Sequence, residues 1–255
     1  MTPASTLAAA IIGAILGSFL NVCIYRLPIG KSIVWPASAC THCGRQLAWF
    51  ENIPILSYLA LWGRCRTCGQ PISMQYPVVE ALTAVMFGAA WVSYGPSTLL
   101  VSRLVFGCAL IVLFAIDFEH YILPNVITLP GIVVGFLFSV VSGEPGWLSS
   151  LIGIATGGGF LWLMIEVWFR IRKVEGMGFG DVKMMAMIGA FLGWQLAFVT
   201  LVMASITGSV LGVALIASGR GEWSTKLPFG TFLALGAALT AAVGQEMLDW
   251  YLRFW

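Results

Sequence analysis

Two cysteine pairs and two isolated aspartates are the residues of this chain whose types and spacing can do chemistry. Cys40-Thr41-His42-Cys43-Gly44 is followed, after a 21-residue gap, by Cys65-Arg66-Thr67-Cys68-Gly69. A two-residue spacer lets both thiolates of a pair reach one tetrahedral ion, and the glycine after each pair permits the tight turn that aims backbone amides at sulfur. Cys40, Cys43, Cys65 and Cys68 are therefore read as ligands of a structural Zn2+. The competing reading is two disulfides or inert thiols, and a reducing compartment disfavours the disulfides. With four thiolates present, His42 is expected to be exposed. Cys23 and Cys108 lie in apolar segments and read as small buried hydrophobes.

The aspartates are Asp117, in Ala115-Ile116-Asp117-Phe118-Glu119-His120, and Asp181, in Gly176-Met177-Gly178-Phe179-Gly180-Asp181-Val182-Lys183. Each stands at the edge of an apolar run, where an ionisable group is costly and suggests function. Two carboxylates in a partly dehydrated site share one proton, because both cannot be ionised a few ångströms apart. One is then an acid and the other a base, which is what activating water against a peptide carbonyl requires. Gly176, Gly178 and Gly180 would let a substrate backbone come close to Asp181. A plainer reading stays open: Asp181 as a residue favoured by a helix N-terminus, and Asp117 as a solvated loop acid. Other acids have simple partners in view, Glu166 with Arg170 four residues on and Glu80 with a base of the cysteine module.

The elements that must position these groups are membrane helices. Of 255 residues, 59% are hydrophobic and 9% charged, with a mean hydropathy of +0.93, whereas soluble domains carry about 25% charge. Long apolar runs fall at 7–25, 77–94, 99–116, 126–141, 148–169, 182–194, 196–217 and 227–248. This predicts an all-α polytopic bundle of about eight transmembrane segments. Residues 1–26 would be the first helix, 27–76 a cytoplasmic tetracysteine module, and 77–255 a transmembrane core. The run 126–141 contains Pro130, and 182–194 is short for a full span. No basic residue precedes the first run, so it is read as a retained helix rather than a cleaved signal. The composition excludes disorder, a basic nucleic-acid binder and a transmembrane barrel.

Lysines and arginines mark the cytoplasmic side. Eleven of the 13 share one side: Arg26, Lys31, Arg45, Arg64 and Arg66; Arg170, Arg172, Lys173 and Lys183; Arg220 and Lys226. Both termini are then periplasmic, and the cysteine module and both aspartates lie at the cytoplasmic face.

Together these residues resemble the type IV prepilin peptidase family, bifunctional bacterial membrane aspartic proteases of the Gly-x-Gly-Asp class. Gly17-Ser18-Phe19-Leu20-Asn21-Val22 with Tyr25-Arg26-Leu27-Pro28 is similar to the family's first helix. Glu51-Asn52-Ile53-Pro54-Ile55-Leu56-Ser57-Tyr58 lies between the cysteine pairs, and Pro71-Ile72-Ser73, Tyr76-Pro77 and Glu80 follow them. Asp117 with Leu123-Pro124, and Gly178-Phe179-Gly180-Asp181 with Lys183, match the two aspartate motifs. The resemblance implies a bacterial inner-membrane enzyme with Asp117 and Asp181 as its catalytic pair. It would cut the leader from type IV prepilins or type II secretion pseudopilins after a glycine. It also implies N-methylation of the new N-terminal residue, with S-adenosylmethionine as donor, and points to Gly63 and Arg64 for that step. Arg64 stands where relatives often have Lys, and Asn125 where many have Asp. From the residues alone, two other classes remain: a transporter carrying ions on the two acids, and a membrane-anchored zinc module whose acids are structural.

Overall fold

The computed structural model describes residues 2–173, 178–219 and 227–253. Gly176, Arg220 and Lys226, used above, lie outside the described residues. The named elements of the described chain are all helical, joined by turns and irregular backbone: α1 (Pro3–Arg26), a 3-10 turn (Trp49–Asn52), α2 (Leu56–Ala60), α3 (Gln75–Tyr94), α4 (Thr98–His120), α5 (Asn125–Ser142), α6 (Trp147–Arg172), α7 (Phe179–Ala217) and α8 (Phe229–Leu252). Seven of these are long and apolar enough to cross a membrane. Their outward faces carry exposed apolar side chains such as Ile11, Val85, Val133 and Val210, as expected of surfaces that meet lipid. The chain divides into two compact units, Met1–Leu104 and Val105–Trp255.

In the first unit α1 and α3 pack antiparallel through small residues. A Cβ at Gly13 would stand 2.7 Å from Thr83 O, and one at Gly17 2.8 Å from Glu80 Cα, so only glycine allows this approach; the spacing is the small-xxx-small pattern of membrane helix pairs. Asn21 Nδ2 donates to Tyr76 O at 3.1 Å, and Trp91 Nε1 to Ser5 Oγ at 3.2 Å, tying the pair at both ends. The α1 start is fixed by Thr2, whose side chain accepts from Ser5 N, with Pro3 in the first turn, a position where proline's missing donor costs nothing.

The second unit is built around α7. Gly193, at φ 79° and ψ 172°, interrupts this helix, and its neighbours show that the chain doubles back there. Before the break, Gly189 meets Gly153 and Gly157 meets Met185, so this half runs antiparallel to α6; after it, Gly208 meets Phe232 and Gly212 meets Leu227, so the second half runs antiparallel to α8. Gly180 and Gly230 both pack on Leu123, which places the start of α7, the start of α8 and the end of α4 at one end of the unit. The apolar runs 182–194 and 196–217 are thus two arms of one helical hairpin, and seven helices by length contain eight apolar segments. The first arm, residues 179–192, is about 21 Å long at ~1.5 Å per residue. It is the centre of the core: Met184, Met187, Ile188 and Ala190 are fully buried, and Phe191 stacks on Phe106 at 4.7 Å. Ser150 Oγ donates to Ala190 O at 2.8 Å between α6 and α7, satisfying a hydroxyl that would otherwise be costly inside apolar packing.

Candidate active site

Asp117 and Asp181 meet at the end of the second unit where α4 stops and α7 starts. Both are buried, at 4% and 7% exposure, and Leu123 packs both on Gly230, which touches Asp117, and on Gly180, which precedes Asp181. The plainer reading of Asp117 as a solvated loop acid is therefore replaced: it belongs to α4 and points inward. Asp181 lies in the first turn of α7, its backbone N donating to Gly178 O at 3.2 Å.

Residues missed in the sequence reading complete the pair. Asp117 Oδ2 accepts the backbone N–H of Thr231 at 2.7 Å and its hydroxyl at 3.1 Å. Those two donors come from the first turn of α8, which Pro228 starts. Gly230 is what lets α8 approach: a Cβ there would stand 2.9 Å from Asp117 Oδ2 and from Leu123 Cδ1. Leu123 in turn covers Gly180, 3.0 Å from where its Cβ would be. In the sequence they stand in Leu227-Pro228-Phe229-Gly230-Thr231, an ordinary proline-started helix with a glycine in its first turn. Lys183 Nζ donates to Asn125 Oδ1 at 2.7 Å and lies over the Phe179 ring at 5.1 Å, joining the starts of α5 and α7. Glu119 and His120 lie 3.9 Å apart and are exposed.

The cysteine module, in the first unit, is made of two like-shaped knuckles. Cys40 N donates to Arg45 O and Gly44 N to Cys40 O; Cys65 N donates to Gln70 O and Gly69 N to Cys65 O. Gly44 and Gly69 both adopt positive φ, 71° and 68°, the conformation that glycine tolerates best. All six cysteines are free thiols. The four Sγ atoms of Cys40, Cys43, Cys65 and Cys68 lie within 4.8 Å of one another, with Cys40 and Cys68 3.9 Å apart. Zn–S bonds of about 2.3 Å in a tetrahedron put sulfurs roughly 3.8 Å apart, so the donor set fits a metal ion. The backbone N–H groups of Cys68 and Thr67 hold the Cys65 thiol down to about 6, and those of Cys43 and His42 lower that of Cys40. At these two positions this favours the thiolate form that metals bind, whereas burial and the neighbouring thiols push the Cys68 thiol up to about 11. His42 is exposed.

Glu51 carries the module's internal ion pair. Its Oε1 accepts from Arg45 at 2.6 Å and its Oε2 from Ala48 N at 2.8 Å, and these bonds hold its carboxyl below the usual range. The expected pairing of Glu80 with a base of the module does not occur: its Oε2 accepts the backbone N–H of Ile55 at 2.7 Å. Gly63 sits at φ 65° under Tyr58, whose hydroxyl a Cβ would approach to 2.7 Å, while Arg64 is exposed. Glu166 pairs with Arg170 at 2.7 Å as expected.

Fold and site together describe a polytopic helical membrane protein with a buried carboxylate pair at one helix boundary and a four-thiolate module in its N-terminal unit. Residues 11–94 match the model of the bacterial peptidase A24 N-terminal domain, and residues 104–213 that of the type IV leader peptidase family. Three relatives named prepilin leader peptidase/N-methyltransferase illustrate the similarity. The one from Myxococcus xanthus is 43% identical over 85% of this chain and 65% of its own length. That from Burkholderia pseudomallei is 34% identical over 92% and 84%, and that from Pseudomonas aeruginosa 33% identical over 98% and 94%. The chain therefore spans just under two thirds of the Myxococcus relative and most of the other two. No solved structure matches. The chain belongs to the type IV leader peptidase family.

Proposed function

We propose that this chain is a membrane aspartic endopeptidase that removes the leader of type IV prepilins or pseudopilins, and that it then N-methylates the exposed residue. The observation that carries the first activity is the meeting of Asp117 and Asp181, buried and from separate helices, with one oxygen of Asp117 fixed by Thr231. Two donors on one oxygen suit a carboxylate that carries the charge, so Asp117 is assigned the base and Asp181 the acid. Asp117 takes a proton from water as the water oxygen bonds to the scissile carbonyl carbon. Asp181 gives its proton to the carbonyl oxygen. Collapse of the tetrahedral species breaks the C–N bond, and the leaving nitrogen takes a proton from the pair. The leader keeps the new carboxylate, and the mature pilin keeps the new amine. The names of the relatives support these substrates and the methylation of that amine.

The site is assigned to the cytoplasmic face of the bacterial inner membrane. Arg170, Arg172 and Lys173 end α6 beyond the residues that pack on the start of α7, and such clusters mark the cytoplasmic side. Both termini are then periplasmic. A pilin N-terminus is an apolar helix behind a charged leader, so its scissile bond would rest at this boundary. By role, residues 1–26 are the first membrane helix, 27–76 the metal module and 77–255 the membrane core that contains the peptidase pair.

Purified protein incubated with a prepilin carrying its leader should yield leader and mature pilin, cut after glycine. Mass spectrometry of the mature N-terminus should show one added methyl when S-adenosylmethionine is supplied. Uncut prepilin would overturn the reading. Thr231→Val, which keeps the backbone donor and removes the hydroxyl, should lower kcat by about 10-fold or more with little change in KM, and Thr231→Ser should restore it; steady-state kinetics checks both.

The module is assigned a structural Zn2+ on Cys40, Cys43, Cys65 and Cys68, with no coordination position left for substrate. Elemental analysis should find about one zinc per chain. Cys65→Ser should lower that content and the thermal midpoint together, because binding energy at such sites is folding energy.

A further inference from the structure

A surface that faces only water carries its large apolar side chains singly, and a cluster of them marks a face that meets something apolar. Residues 49–62 of the cysteine module present such a cluster: Trp49, Phe50, Ile53, Leu56, Leu59 and Trp62 are all exposed, the two tryptophans at 80% and 88%. They are held together rather than scattered. Trp49 and Phe50 meet edge to face at 5.8 Å in the 3-10 turn, which packs on α2. Leu56 and Leu59 stand three residues apart on α2 and so share one face. Tyr58 leaves the helix on another side, its hydroxyl donating to Met74 Sδ at 2.9 Å just before α3. Ile55 and Trp62 bracket α2 at positive φ, 61° and 52°, a conformation that bulky side chains rarely adopt. The Trp62 ring nonetheless stays outside, so no packing within the chain accounts for that backbone cost.

Glu80 fixes the height of this cluster. It lies in the second turn of α3, inside the apolar run 77–94, and its Oε2 accepts the Ile55 N–H at 2.7 Å. The start of α2 is therefore one side chain away from a membrane helix at bilayer depth. Val78 and Leu82, on either side of Glu80 in sequence, are exposed, so the lipid-facing surface of α3 reaches this level. The charges around the cluster have one sign. Arg66 stands over the Phe50 ring at 5.5 Å and Arg64 is exposed beyond Trp62, whereas Glu51, the one acid of residues 27–76, is buried and bonded to Arg45. Tryptophans at an apolar boundary, with arginines beside them and no free acid, suit the layer where acyl chains give way to phosphates.

We propose that α2, with Trp49, Phe50 and Trp62, is an interfacial anchor lying in the bilayer leaflet in which α1 ends. Its apolar face meets the acyl chains, and Arg64 and Arg66 meet lipid phosphates. The anchor belongs to the first unit alone and depends on neither proposed activity. It holds the four-thiolate centre at a set height beside α1 and α3.

The test uses the full-length wild-type protein, one chain per nanodisc of phosphatidylethanolamine and phosphatidylglycerol, with no pilin present. Brief hydroxyl-radical oxidation followed by peptide mass spectrometry should modify Trp49 and Trp62 several-fold more slowly than the same tryptophans in the tryptic peptide 46–64. A single chain without substrate leaves lipid as the shield for side chains that the fold itself exposes. Oxidation of both at the rate of the free peptide would overturn the proposal, and this arm needs no variant. A second arm asks what touches the cluster when other occupants are offered. A benzophenone amino acid in place of Trp62, or of Trp49 where the first replacement fails to fold, is illuminated in vesicles of the same lipids that hold many chains together with prepilin. A phospholipid mass added to peptide 46–64 is the expected product. Attachment to a second copy or to prepilin, with no lipid adduct, would overturn the anchor.

Discussion

Asp181→Asn and Asp117→Asn should each lower the rate of leader cleavage by about 1,000-fold, within the range that positioned acid–base groups contribute, while leaving the protein folded and membrane-inserted. The reason lies in what asparagine can and cannot do at these positions. It matches aspartate in size and keeps an oxygen for the Thr231 donors at 2.7 and 3.1 Å, so the packing of α4 against α8 survives. It cannot exchange a proton with water or with a carbonyl oxygen. Neither variant should be rescued by the other carboxylate, because a lone acid supplies either the proton donor or the proton acceptor but not both at once. Prepilin bound but uncut, with normal protein yield, is the expected phenotype. Cleavage at more than a tenth of the wild-type rate by either variant would remove the paired-carboxylate mechanism. A transporter using the two acids as ion carriers would leave prepilin uncut even by the wild-type chain.

The second large effect concerns stability. Gly189→Ala and Gly153→Ala should each destabilise the second unit by about 3 kcal/mol or more, read as a loss of detergent-stable monodisperse protein and a lower thermal midpoint. At both positions an added Cβ would overlap the facing backbone: Gly153 against Gly189 O, and Gly189 against Gly153 O. Backbone cannot move aside as a flexible side chain can, so relief requires α6 and α7 to separate. Gly159→Ala is the internal control. It lies on α6 a few residues away, has nothing within 4 Å of the new Cβ, and should be neutral or slightly stabilising because alanine is the better helix former. The same chemical change on one helix is thus costly at Gly153 and without cost at Gly159.

The candidate site residues divide by how they could be read from the chain. Asp117, Asp181 and the four cysteines were legible because their side chains are out of place in their surroundings: an acid at the edge of an apolar run, or thiols at ligand spacing. Thr231 was not, since a threonine after a proline and a glycine at a helix start is ordinary, and its two donors matter only once α8 is seen against α4. Glu80 shows the limit of pattern reading from the other side. Its charge invited a basic partner, but the Ile55 backbone N–H met it first, a partner that carries no sequence signature. The eight apolar segments were visible, with the short sixth one found as expected. A reversal between the sixth and seventh runs was expected, but that Gly193 makes it was not obvious among 29 glycines, because only the backbone angle distinguishes the one that turns the chain from those that let helices touch.

That reversal has a consequence for how the enzyme meets its bilayer. Every residue from Met184 to Gly193 is buried, so the arm that carries Asp181 is gripped by protein along its length. Membrane helices that face lipid tilt or shift when hydrocarbon thickness changes, but this arm presents almost no surface on which such a force can act. The depth of Asp181 is therefore a property of the glycine-to-glycine packing with α6, and the outer helices can accommodate thinner or thicker membranes without displacing it.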